Sequence, residues 1–239
     1  SVCPMYDIMS IGMEEEEMGS CTTVKEGRLY SLAEEIANAI THGLGVIFGI
    51  VVTAYLVYKA AMDSNVLAIV GFAVYGCFLT LMYLSSTLYH AITHQKAKQI
   101  LRVVDHCSIY LMIAGCYLPI SLLALQGIER ITIIATVFAI AVAGIVFKIV
   151  TYGKYDKYNK ISVLIYVAMG WIVVFSLRSI YRATSLPFIL WIAAGGIMYT
   201  IGTIFYKSKR IPFNHAIWHA FVLAGSVLQF VGILREYVL

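Results

Sequence analysis

Charge is scarce in this chain. Only 13% of its 239 residues are Asp, Glu, Lys or Arg while 61% are hydrophobic, and soluble domains carry about 25% charged residues. With a mean hydropathy of +0.85, that shortage excludes a soluble domain and points to a polytopic membrane protein. Paired cysteines are missing as well. Cys3, Cys21, Cys77, Cys107 and Cys116 show no CxxC spacing, and three of them fall in apolar stretches, which argues against a disulfide framework or a thiolate zinc site. Residues 1–30 hold the acidic run Glu14 to Glu17 and no long apolar stretch, so they read as a disordered or loosely attached tail and not as a signal peptide. No repeat at a fixed period is visible.

What the chain does have is long apolar stretches, seven of them: Glu35–Tyr58, Val66–His90, Val103–Leu125, Ile131–Thr151, Ile161–Ile180, Ser185–Tyr206 and Phe213–Tyr237. Each spans about 20 residues or more, enough to cross ~30 Å of hydrocarbon as a helix. The fold class is therefore all-α, a seven-transmembrane-helix bundle over residues 31–239 in the cell membrane. Order is expected to begin at Ser31-Leu32-Ala33-Glu34, a capping-box pattern in which the serine caps the first amides and the glutamate reaches back. Gly45 and Gly49 in the first span and Gly195-Gly196 in the sixth let helices approach closely, and Pro119 is expected to kink the third.

Loop charges orient the bundle. The tail and every second loop carry Lys25, Arg28, Lys96, Lys98, Arg102, Lys148, Lys154, Lys157, Lys160, Lys207, Lys209 and Arg210, twelve of the 17 basic residues. The positive-inside rule then places the N-terminus in the cytoplasm and the C-terminus outside. The net charge of +4 sits in these short loops and reads as topology, not nucleic-acid binding.

In that orientation all six histidines fall at or near the cytoplasmic end. The sequence Asn214-His215-Ala216-Ile217-Trp218-His219 puts two imidazoles four residues apart, on one face of a helix. His90 ends the second span, one turn beyond Ser86, and Asp105-His106 opens the third. Three neutral imidazoles with an open fourth position suit Zn²⁺, and His90, His215 and His219 supply them from two helices. A zincin carries its base within HExxH, but position 216 is Ala, so the base comes from elsewhere. An ionisable group inside a membrane span is by default functional; Asp105 is the candidate general base. Ser86 is a candidate oxyanion donor or ligand-orienting group, or it bonds back to the preceding turn. Glu35, Asn38 and His42 form one polar stripe on the first span and, with His106, read as groups behind the ligands or as cross-links between helices. His94, in a loop, reads as solvated. Two histidines on a haem are the competing assignment, but the i, i+4 pair aims both rings at one small ion.

The set Glu34-Glu35…Asn38…His42-Gly43, Ser86-x-x-x-His90, Asp105-His106 and Asn214-His215-Ala216-Ile217-Trp218-His219 resembles the hemolysin III branch of the progestin and adipoQ receptor family, from about residue 31 to the C-terminus. The resemblance implies a seven-helix bundle with zinc held by His90, His215 and His219 and a water-holding acid at Asp105, related more distantly to alkaline ceramidases. It implies membrane lipids as partners and leaves three functions open: a metal-dependent hydrolase of a lipid amide or ester, a lipid-sensing receptor or regulator with structural zinc, or a pore-forming haemolysin. The pore has least support, because no span carries a continuous polar stripe beyond the site residues.

Overall fold

The computed structural model describes residues 30–152, 155–208 and 210–239. Apart from Tyr30, the expected tail lies outside them. The main helices are α1 (Leu32–Met62), α2 (Val66–Ala91), α3 (Gln95–Ala124), α4 (Gly127–Val150), α5 (Tyr155–Gly170), α6 (Leu177–Ala183), α7 (Leu186–Lys207) and α8 (Asn214–Tyr237), with a 3-10 helix at Ile172–Ser176 between α5 and α6. There is no strand among the described residues. Seven stretches are long and apolar enough to cross a membrane, with α5, the 3-10 helix and α6 forming the fifth as Lys157–Ala183. The outer surface is apolar, with Phe175 87% exposed, as lipid contact demands.

The ends of two helices are tied together at the start of α1. Ser31 Oγ accepts from the Glu34 amide at 3.2 Å and Glu34 Oε2 accepts from the Ser31 amide at 2.9 Å, completing the expected capping box. The other oxygen of Glu34 accepts from the Phe213 amide at 3.3 Å. Phe213 precedes α8 in the left-handed region, φ 55°, so this bond steadies a strained turn and sets the first residues of α8 beside those of α1.

Along the bundle α1 packs on α2, α2 on α3, α3 on α4, α7 on α8, and α8 returns to α1. Gly45 lies against the Tyr83 ring, and Gly49 against Thr80, whose Cα would sit 3.3 Å from any Cβ added there. These two positions bring α1 close to α2 without a side chain between them.

α3 runs through Pro119 as one helix, whereas the fifth span, read from the sequence as a single helix, opens into a 3-10 helix at Ile172–Ser176 although it contains no proline. The reason lies in Tyr117 of α3. Its hydroxyl is 2.8 and 2.9 Å from the Met169 and Gly170 carbonyls, to which it donates, and it accepts from the Val173 amide at 3.0 Å. Backbone groups freed at membrane depth must find partners inside the protein, and one phenol from a neighbouring helix meets all three.

Candidate metal centre

The structure brings His90, His215 and His219 together. One ring nitrogen from each lies within 4.8 Å of the others, and all three residues are buried. His90 comes from the last turn of α2, where it closes the Ser86-to-His90 turn, and the other two come from the first two turns of α8. Ring centroids are 5.1 Å apart for His90 and His215, 5.3 Å for His90 and His219, and 4.5 Å for His215 and His219.

Each ring is held by its Nδ1. That of His90 lies 2.6 Å from Glu35 Oε2, and Glu35 is itself paired with Lys98 through Oε1 at 2.9 Å. That of His219 lies 3.2 Å from the Asn38 carbonyl oxygen and 3.3 Å from Thr41 Oγ1. That of His215 lies 3.2 Å from the Tyr30 hydroxyl. A carboxylate and a carbonyl accept only, so in His90 and His219 the proton belongs on Nδ1 and the lone pair on Nε2. The Nε2 atoms of His90, His215 and His219 are all buried with no hydrogen-bond partner.

Buried polar atoms in folded proteins are normally paired, so three unpaired nitrogens on converging rings call for a shared occupant. A cation fits that demand. Zn–N bonds of ~2.0–2.1 Å in a tetrahedral site put ligand nitrogens roughly 3.3 Å apart, inside the 4.8 Å that bounds the observed spacing. The hydrogen bonds behind the rings are the arrangement that metal-ligating histidines require.

The remaining sequence candidates divide. Glu35 and Asn38 stand behind the ligands, Asn38 also with its amide nitrogen 3.4 Å from His90 Nδ1. His42 stacks on His219, with centroids 3.5 Å apart and planes 11° from parallel. Asp105 is buried about three turns into α3 beside Ser86, whose buried Oγ makes no hydrogen bond of regular geometry. Buried Lys148 of α4 faces the same carboxyl. His106 turns away from the cluster: its Nδ1 donates to the Arg102 carbonyl at 2.6 Å and stays 3.7 Å from Asp105 Oδ2. His94 lies outside the site and caps α3 by accepting from the Ala97 amide at 3.4 Å.

Tyr30, Thr41 and Lys98 contact this centre but were not among the candidates. Lys98 counts in the sequence as one more loop charge, and Tyr30 as the last residue of the tail. Thr41 is inconspicuous because its hydroxyl also satisfies the Ala37 and Asn38 carbonyls, at 2.9 Å each. Beyond Trp218, whose ring lies against His215 and His219, an apolar cavity of about 120 Å³ opens between α3, α5, α7 and α8, lined by Met112, Cys116, Tyr166, Trp171 and Tyr199 among others.

Seven spans around a buried three-histidine cluster define a multi-pass membrane protein with a candidate metal centre at one end of its bundle. The family model described as "Haemolysin-III related" matches residues 30–230. The chain belongs to that family. It is 43% identical over 206 residues to "Hemolysin-3 homolog" of Bacillus subtilis (strain 168), covering 86% of this chain and 95% of the relative. It is 41% identical over 201 residues to "Hemolysin-3" of Bacillus cereus, covering 84% and 90%. It is also similar to the human "Monocyte to macrophage differentiation factor", 28% identical over 212 residues and 84% of each chain.

Proposed function

We propose that this protein is a zinc-dependent integral-membrane hydrolase that cleaves a lipid amide or ester and serves membrane lipid homeostasis. The observation that carries the reading is the set of three buried Nε2 atoms on His90, His215 and His219, unpaired while every Nδ1 behind them is held. Three protein ligands leave a fourth position open, as catalytic zinc sites do and closed structural ones do not. When bound, zinc supplies Lewis acidity that polarises a carbonyl and makes water a stronger acid.

The chain's own residues do the rest. Asp105 takes a proton from the attacking water and delivers it to the leaving amine or alcohol. Ser86, whose hydroxyl stands beside the Asp105 carboxyl, donates to the developing oxyanion. The apolar cavity beyond Trp218 receives a segment of the acyl chain. Loop charge puts this centre at the cytoplasmic side, with the N-terminus inside.

Asp105→Asn tests the reading. The variant is expected to keep its zinc and its fold and to lose hydrolysis of a long-chain N-acyl amide in detergent micelles. Full activity in Asp105→Asn overturns the hydrolase.

One observation favours a second reading, structural zinc in a lipid-sensing protein. The ligands sit on α2 and α8, whose backbones do not pack closely on each other while both pack on α1, so an ion there would tie two separated helices. Under that reading, Asp105→Asn leaves the cellular phenotype intact and His215→Ala destabilises the fold.

A further inference from the structure

The groups behind the three histidines share an origin. Glu35, Asn38 and Thr41 lie on α1, and Tyr30 stands just before it. α1 gives no ligand of its own, yet with Tyr30 it meets the outer nitrogen of every ligand. Tyr30 differs from the rest in lying off the helix, at the end of the bundle.

We propose that Tyr30 is a positioning residue of the metal centre, its hydroxyl oxygen receiving the Nδ1 proton of His215 while its ring plugs the end of the bundle over the ligands. The inference rests on the reading that His90, His215 and His219 bind a metal. Its hydroxyl lies 3.2 Å from His215 Nδ1. Its ring centroid is 4.9 Å from that of His215 and 5.8 Å from that of His90, edge-on to the latter. Tyr89 and Tyr206, at the ends of α2 and α7, and Arg102 of α3 are among its electrostatic neighbours.

A phenol is a neutral hydroxyl at ordinary pH, so the group facing His215 is able to accept. The turn that follows Tyr30 is anchored to both α1 and α8. The capping box between Ser31 and Glu34 holds it to α1, and the bond from the Phe213 amide to Glu34 holds that same turn to α8. Of the three ligands only His215 has no acceptor on α1 itself. Tyr30 supplies the missing one, and with it the tautomer that turns the His215 Nε2 lone pair inward.

The test is metal binding by the full-length protein in detergent, read by competition with a chromophoric chelator, by the rate of release to excess chelator, and by the visible spectrum of the cobalt-loaded form. Tyr30→Phe keeps the ring and removes the oxygen; affinity is expected to fall by about 10-fold or more, with an altered cobalt spectrum and an unchanged thermal midpoint of the metal-free protein. Tyr30→Ala also uncovers the end of the bundle and is expected to release metal faster than Tyr30→Phe. Tyr30→Phe with the parent's affinity and spectrum overturns the inference alone. A parent protein that takes up neither zinc nor cobalt overturns the metal reading beneath it.

Discussion

Glu35 Oε2 lies 2.6 Å from Nδ1 of His90, joining the first helix to the only candidate ligand that α2 provides. A carboxylate in that place fixes the ring and raises the basicity of the nitrogen on its far side. Glu35→Gln keeps the shape and loses the charge; zinc affinity measured by chelator competition is expected to fall by about 10- to 100-fold. Unchanged affinity would mean that the pair only joins α1 to α2.

Metal affinity also depends on acidity in a set direction. The three Nε2 atoms must be unprotonated to bind, so protons compete with the ion. Retained zinc is expected to fall as the solution is made more acidic. Metal analysis after equilibrium dialysis at each pH reads this directly, and retention that rises with acid contradicts it.

Ser86 separates chemistry from assembly. Ser86→Ala is expected to leave zinc content unchanged and to lower turnover of the amide substrate by about 100-fold, the scale of losing one oxyanion donor. Loss of metal in this variant would instead place the hydroxyl behind a ligand.

Tyr117 carries the break in the fifth span. Tyr117→Phe leaves the Met169 and Gly170 carbonyls and the Val173 amide without the hydroxyl they share, a loss of about 1–3 kcal/mol where a buried group goes unpaired. A lower thermal midpoint, with faster hydrogen exchange confined to Ile172–Ser176, is the expected result. Exchange that rises evenly along the chain would assign Tyr117 to general packing.

The seven spans were legible because apolar length alone identifies a helix that crosses a membrane. The start of α1 was legible because a capping box is local, its Ser31 and Glu34 three residues apart. The grouping of the three histidines was legible for a different reason. His215 and His219 share a helix face by spacing, and loop charge sent the end of α2 and the start of α8 to one side.

What stayed hidden depends on contacts between helices. The stripe of Glu35, Asn38 and His42 is visible in the sequence, but which ring each faces follows from how α1 is rotated against α2 and α8. Against α2 that rotation is set by the fit of Gly45 to Tyr83 and Gly49 to Thr80. The acceptor for His219 is the backbone carbonyl of Asn38, which no residue identity announces. His106 sits beside Asp105 in sequence yet bonds the Arg102 carbonyl one turn back. The fifth span breaks without a proline because the partner that permits the break is on α3.

Zinc content of the purified full-length protein, prepared without chelator, tests the centre most directly. About one ion per chain is expected, as for a single three-histidine site, and substantially less in His215→Ala and His219→Ala variants that still fold. A well-folded parent protein that holds no zinc and takes none up from a zinc-containing buffer would contradict it.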